Sequence, residues 1–164
     1  MGVFDQQKFK SNKQEWGTPP ELFNHLNEHY CFDFDLAADE SNHKTESYFT
    51  VEDNALSKSW SGSCWLNPPY GSVGETKLSK WVEKAFTESH TGNCRVTMLI
   101  PARTNTAWWH RYCMNSEEVL FINGRPKFIG AIHGLPQPLA LVTFSNADTP
   151  TRFGSYNVRT GEIL

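Results

Sequence analysis

The chain has 164 residues, 38% of them hydrophobic and 20% charged, with a formal net charge of −3. This fits one soluble globular domain with a real core. No apolar run approaches the roughly 18 residues that a membrane span needs, and the polar start lacks a signal peptide's apolar core, so no membrane partner and a cytoplasmic location are expected.

Residues 1–14 are polar, with Lys8, Lys10 and Lys13 among Gln, Ser and Asn and no periodicity. They read as a flexible arm ahead of one domain spanning residues 15–164. Thr18-Pro19-Pro20-Glu21 then combines a capping threonine, a proline at the first helical position and a glutamate three residues after the cap. A helix is expected to start there and run to about residue 30, with Leu22, Phe23, Leu26 and Tyr30 on its buried face. His25 and His29 sit four apart, but no third ligand is evident, so no metal site is expected.

Phe32-Asp33-Phe34-Asp35-Leu36 alternates with period two and ends in Ala37-Ala38, the pattern of a first strand and its turn. In open α/β sheets ligands bind outside the carboxyl ends of strands, which is where Asp35 to Asp39 falls. The usual glycine-rich G-x-G turn is absent from the whole chain. Ala37 and Ala38 allow close approach of a ligand but not a positive φ, so the turn must differ from that pattern. Tyr48 to Val51 reads as a second short strand, and Asp53-Asn54 follows it as a good Asx-turn or a ligand contact.

Cys64-Trp65-Leu66 is apolar, and two prolines then end any strand, because neither ring nitrogen can donate to a ladder. Asn67-Pro68-Pro69-Tyr70 is therefore a stiff loop that fixes the Asn67 side chain, the carbonyls of Asn67 and Pro68 and the Tyr70 ring. An amino group conjugated to a heteroaromatic ring is a poor nucleophile. Two acceptors, Asn67 Oδ1 and the Pro68 carbonyl, can hold both of its N–H groups while Tyr70 stacks on the base. A base held in this way has left the duplex. The ordinary alternative is a Pro-Pro turn closed by an aromatic.

Beyond the loop, Gly71 to Gly74 reads as permissive, and Leu78, Trp81, Val82, Ala85 and Phe86 trace a helix face. Lys77, Lys80 and Lys84 occupy another face, open to phosphates or simply solvated. Arg95 to Ile100 reads as a buried strand with Arg103 past its end. Thr106 to Met114 reads as a short helix whose adjacent Trp108 and Trp109 cannot both face the core. Trp108, Arg103 and Arg111 are candidate DNA contacts. Val119 to Ile122 is a further strand, followed by a basic turn carrying Arg125 and Lys127, candidates for backbone or guanine contacts. Gly130 to Pro138 reads as a loop, Leu139 to Phe144 as a strand and the polar remainder as an edge hairpin.

Charge is uneven along the chain. Residues 15–60 hold ten acidic side chains against Lys44 and Lys58, whereas residues 95–164 hold seven basic ones against four acids. An acidic half suits a cationic cofactor and a basic half suits phosphates. The four cysteines are scattered and read as reduced thiols. No Pro-Cys dipeptide occurs, so the chain does not resemble the family of cytosine C5 methyltransferases that use a cysteine nucleophile in such a motif.

The loop resembles the catalytic loop of S-adenosylmethionine-dependent amino-group methyltransferases, and the ordered set around it is similar to the phage-type DNA N6-adenine methyltransferase (Dam-like) family. That set is Trp16-Gly17-Thr18-Pro19, Phe32 to Ala38, Tyr48-Phe49-Thr50, Asp53-Asn54-Ala55-Leu56, Trp60, the loop, Trp81 to Ala85, Ile100 to Thr104 and Gly124-Arg125. The resemblance implies a catalytic Asn67, Pro68, Pro69 and Tyr70, and cofactor contacts from Trp16, Thr18, Pro19, Asp35, Ala37, Asp39, Asp53 and Asn54. It also implies double-stranded DNA as partner, reached by Lys77, Lys80, Arg103, Trp108, Arg111, Arg125 and Lys127, and a host-cell cytoplasmic location if the chain is phage-encoded. The expected fold is one Rossmann-like α/β methyltransferase domain with a mixed, mostly parallel sheet flanked by helices. Cytosine N4 methylation, glutamine methylation in a protein and a DNA-binding module without catalysis remain open at this point.

Overall fold

The apolar runs become the strands of one sheet: β1 Phe34–Asp35, β2 Ser47–Tyr48, β3 Gly62–Leu66, β4 Cys94–Pro101, β5 Glu118–Asn123, β6 Leu139–Phe144 and β7 Arg152–Asn157. The helices are α1 Pro20–Tyr30, α2 Leu78–His90 and α3 Ala107–Arg111. This computed structural model describes residues 17–71, 77–129 and 136–164. The arm expected at 1–14, Trp16, and most of the loops expected at 71–74 and 130–138 lie outside the described residues.

Strand order is β2-β1-β3-β4-β6-β5-β7. The pairs β1–β2, β1–β3, β3–β4 and β5–β7 are parallel, and β6 is inserted antiparallel between β4 and β5. The expected mixed, mostly parallel α/β sheet is what forms. All six residues of β6 and seven of the eight in β4 are buried. Covered on both faces, these strands read as continuous apolar runs rather than alternating ones.

Period two sorts the side chains between two cores. Cys64, Leu66, Val96, Met98, Ile100 and Val142 pack on Leu78, Trp81, Val82 and Ala85 of α2 and Trp109 of α3. Trp65, Leu99 and Leu141 pack on Leu22, Phe23, Leu26 and Tyr30 of α1. The sheet is thus a middle layer with α1 on one side and α2 and α3 on the other.

The sequence pattern misplaces the cap of α1. Pro19, not Thr18, is the cap residue, and no side chain caps the helix. The Thr18 hydroxyl is engaged elsewhere, as described below. The helix ends at Cys31, whose N–H still bonds to Asn27 O at 2.9 Å and whose left-handed φ of 52° turns the following chain away. The second strand lies earlier than expected, at Ser47–Tyr48, because Thr50 to Asp53 is held in a turn by the Asp53 carboxylate. The expected edge hairpin forms: β7 pairs with Glu162 to Leu164, joined by Ser155–Leu164 and Asn157–Glu162 backbone bonds. Its parallel pairing with β5 has no local sequence signal.

At the amino ends of β4 and β5, a polar cluster ties the layers together. Tyr30 donates to the buried Glu118 at 2.6 Å, Arg152 pairs with the same carboxylate, and Arg95 makes a two-pronged contact with Glu117. This cluster lies at the opposite end of the strands from the loop at Asn67.

Candidate active site at the carboxyl ends of β1, β3 and β4

The chain moves outward from β1 to β2 on one side and from β3 to β4 on the other, so the order of connection reverses between β1 and β3. Ligands in open α/β sheets bind outside the strand carboxyl ends at such a switch point. Asp35 is in register with Trp65, and Leu36 N–H bonds to Trp65 O at 3.0 Å. The segment after Asp35 and the loop after Leu66 therefore lie side by side at the same end of the sheet.

Asn67 is clamped at both ends. Its Nδ2 donates to Thr18 Oγ1 at 3.1 Å, and its Oδ1 accepts from the Tyr70 hydroxyl at 2.8 Å. The same hydroxyl is 2.8 Å from Leu99 O, so one proton serves two acceptors. The Tyr70 ring is half-buried, with its hydroxyl turned inward against both cores. Burial pushes the phenol pKa up, so the group stays protonated and acts as a donor. Pro68 is buried and Pro69 half-buried. Among the described residues nothing donates to the Pro68 carbonyl. The loop is fixed further by Arg103, whose Nη2 donates to Tyr70 O at 3.1 Å, and by Leu78 N–H at the start of α2, which bonds to Gly71 O at 2.8 Å.

The β1 side is acidic. Asp35 is 3% exposed, and its two oxygens accept from Ala37 N–H at 3.3 Å and Lys44 N–H at 3.0 Å. Burial pushes its carboxyl above the ordinary range, against the pull of those N–H groups and of the Lys44 ammonium. A buried carboxylate whose charge is disfavoured by its surroundings fits a cationic ligand, which restores that charge. Ala37 is half-buried beside it and Ala38 N–H bonds to Phe49 O; the chain bends at Leu36 and Ala37, held by the Asp35 carboxylate, without a positive φ in place of a glycine turn.

Asp39 accepts from Ser41 and Asn42, and Asp53 from the N–H and hydroxyl of Thr50; these bonds hold both carboxyls below the ordinary range. Both are exposed, and their turns are complete without a ligand. Asn54 adopts φ 52° at the head of a single 3-10 turn.

The turn after β5 is basic. Arg125 and Lys127 are exposed and line a groove of about 250 Å³ with Pro19, Glu21, Leu22, Pro126 and Val158. Ile129 N–H bonds to Gly17 O at 2.9 Å, which ties this turn to the residue before Thr18. Arg111 is exposed on α3, where Trp109 is buried and Trp108 only partly so. Lys77 lies just before α2, next to the anchored end of the loop, and the exposed Lys80 pairs with Glu83 at 3.5 Å.

Hydrogen bonds thus join Thr18, Asn67, Tyr70 and Arg103 into one cluster past the ends of β3 and β4, and Asp35 and Ala37 stand at the end of the neighbouring β1. The sequence reading missed the internal engagements of Thr18 and Arg103 and the role of Leu99 O. A backbone carbonyl carries no residue-type signal, and the partners of Thr18 and Arg103 lie 49 and 33 positions away.

Comparison with known proteins gives the family of the chain. The family described as "DNA N-6-adenine-methyltransferase (Dam)" matches residues 5–137. The chain is 34% identical over 124 residues to a DNA N-6-adenine-methyltransferase of Haemophilus phage HP1, covering 73% of this chain and 69% of that protein. It is also 34% identical over 110 residues to a DNA N-6-adenine-methyltransferase of Escherichia phage T1, covering 65% of this chain and 44% of that protein. The match spans the α1 start, the loop at Asn67 and the basic turn, and the chain belongs to the DNA N-6-adenine-methyltransferase (Dam) family.

Proposed function

We propose that this protein transfers a methyl group from S-adenosylmethionine to N6 of an adenine flipped out of double-stranded DNA. The observation that carries the reading is the Asn67-to-Tyr70 loop leaving β3 at the switch point, between the buried Asp35 at the end of β1 and the basic turn after β5. Bound S-adenosylmethionine supplies an electrophilic methyl group. Asp35 is proposed to offer a buried negative charge to that cation, with the Thr18-Pro19 backbone, Ala37, Asp39, Asp53 and Asn54 as its further contacts; Trp16, outside the described residues, keeps the cofactor contact that the sequence resemblance implies. Asn67 Oδ1 and the Pro68 carbonyl accept from the adenine amino group. Held by two acceptors, the nitrogen keeps its lone pair for attack, and no covalent bond to the protein is needed. Pro69 stiffens the loop, and Tyr70 gives the extrahelical base a stacking wall, offsetting an extrusion cost of a few kcal/mol.

The carboxyl of Asp35 sets the pH behaviour. Its folded-state pKa is raised, so the native protein holds this proton more tightly than the unfolded chain. By linkage, stability falls as pH rises from the ordinary carboxylate value through the raised one. Affinity for the cationic cofactor has the opposite sign and falls as pH drops through the raised value. Calorimetry with S-adenosylmethionine should show micromolar-range binding at neutral pH, weakened about tenfold or more, ~1.4 kcal/mol, in Asp35→Asn. Undetectable binding to the wild-type protein would favour a DNA-binding module instead.

Lys77, Lys80, Arg103, Trp108, Arg111, Arg125 and Lys127 are proposed to meet DNA. Replacing Arg125 and Lys127 together with alanine should weaken DNA binding. It should also flatten the dependence of log affinity on log salt by up to about 2, since each phosphate contact contributes about 0.9 to that slope. An unchanged slope would remove the basic turn from the interface.

A further inference from the structure

We propose that Thr18 is a positioning residue, whose buried hydroxyl holds Nδ2 of Asn67 and keeps Oδ1 turned to the side where the target amino group is received. The inference rests on the reading of Asn67 as an acceptor and adds the device that orients it. Thr18 is 2% exposed, and its hydroxyl forms no cap on α1 although it stands one residue before the cap position. Its Oγ1 instead reaches across the fold to Asn67, 49 positions away, at 3.1 Å.

A carboxamide has one accepting and one donating end, and turning it over would present N–H groups to an amino group that itself donates. Something must decide which way it faces. Each of its two hydroxyl neighbours can donate or accept, so the face is set by the pair together, and the Tyr70 hydroxyl cannot set it alone. It lies 2.8 Å from Asn67 Oδ1 and 2.8 Å from Leu99 O and has a single proton for both. When that proton swings to Leu99 O, a lone pair of Asn67 Oδ1 becomes free for the substrate. At that moment the Thr18–Nδ2 bond is what still holds the amide in place. Thr18 itself is fixed: Gly17 O accepts from Ile129 N–H, and Pro19 and Pro20 follow directly with restricted φ.

The test compares Thr18→Val, which keeps the shape and removes the hydroxyl, with Thr18→Ser, which restores it. Single-turnover methylation of DNA and calorimetric binding of S-adenosylmethionine are measured for both. Thr18→Val is expected to lower the methylation rate roughly tenfold to a hundredfold, the usual consequence of stranding a buried donor. Cofactor affinity should stay within a few-fold, and Thr18→Ser should recover most of the rate. In an Asn67→Asp background the Thr18→Val effect should shrink, because a carboxylate presents an oxygen whichever way it is turned.

Wild-type turnover in Thr18→Val would overturn the proposal, as would a loss confined to cofactor affinity, which would put the hydroxyl on the cofactor. Should Thr18→Val melt early, Thr18→Ala and Thr18→Ser provide the same comparison. Failure here is separable from failure of the acceptor reading. If Asn67→Ala loses turnover and Thr18→Val does not, only the positioning role falls. If Asn67→Ala keeps wild-type turnover, the acceptor reading falls with it.

Discussion

Replacing Asn67 with alanine is expected to lower kcat by roughly 10² to 10³ while leaving affinity for S-adenosylmethionine within a few-fold of wild type. Asn67 Oδ1 is proposed to act on the attacking nitrogen, so the loss should fall on the chemical step. The magnitude is that of removing one preorganised polar group from a reaction centre, about 2.7–4 kcal/mol. The methyl cannot be expected to reach the nitrogen efficiently when its lone pair remains spread into the ring. The truncation also frees the Tyr70 hydroxyl to bond Leu99 O alone and leaves Thr18 Oγ1 without its donor. Small rearrangements of the loop should follow, but Asp35 at the end of β1 and its N–H partners Ala37 and Lys44 are untouched. Single-turnover rates and calorimetry on the same preparation separate the two effects. Equal losses of turnover and cofactor affinity would show that Asn67 shapes the cofactor side of the crevice rather than the nucleophile.

Trp65→Ala should have the largest effect on stability, about 3–5 kcal/mol. The indole is 1% exposed, edge-on to Phe23 at 5.8 Å and tilted against Phe32 at 5.4 Å between ring centroids. It lies beneath α1, two residues before Asn67, so the cavity left behind adjoins the helix that follows Thr18. For a domain of this size, each kcal/mol lowers Tm by about 2–4 °C, so a fall of roughly 6–20 °C is expected in thermal unfolding. Trp108→Ala, at a partly exposed indole, should shift Tm much less. A shift below about 3 °C for Trp65→Ala would mean that the α1 face is not packed as described.

Elements with strong local patterns were legible in the sequence. α2 and β6 follow from apolar periodicity and continuous burial, and Pro68-Pro69 marks where β3 must end. The loop could be singled out because two prolines, an amide and a tyrosine state a geometry by themselves. Thr18 shows the limit of local reading. Thr-Pro-Pro-Glu is a good helix-start pattern, but competition with Asn67 across the fold decided what the hydroxyl bonds. Arg103 is similar: an arginine beyond a strand end reads as a phosphate contact, yet part of its guanidinium fixes the Tyr70 carbonyl.

Long-range pairing accounts for the rest. The parallel β5–β7 ladder and the Tyr30–Glu118–Arg152 cluster join residues up to 88 positions apart, and no window of sequence contains both ends. The lysine stripe on α2 divides in the structure. Lys84 pairs with Glu88 and lies over the Trp60 ring, and Lys80 pairs with Glu83, as a solvated face would. Lys77 is left at the loop end of the helix.

The most direct test of the account is to incubate the protein with methyl-labelled S-adenosylmethionine and unmethylated double-stranded DNA, digest the DNA to nucleosides and identify the labelled product by mass spectrometry. Label is expected in N6-methyldeoxyadenosine, and none when Asn67 is replaced by alanine at matched reaction time. Label in N4-methyldeoxycytidine would contradict the adenine assignment. Absence of any labelled nucleoside, with the cofactor still bound, would contradict DNA as the substrate held by the Asn67-to-Tyr70 loop.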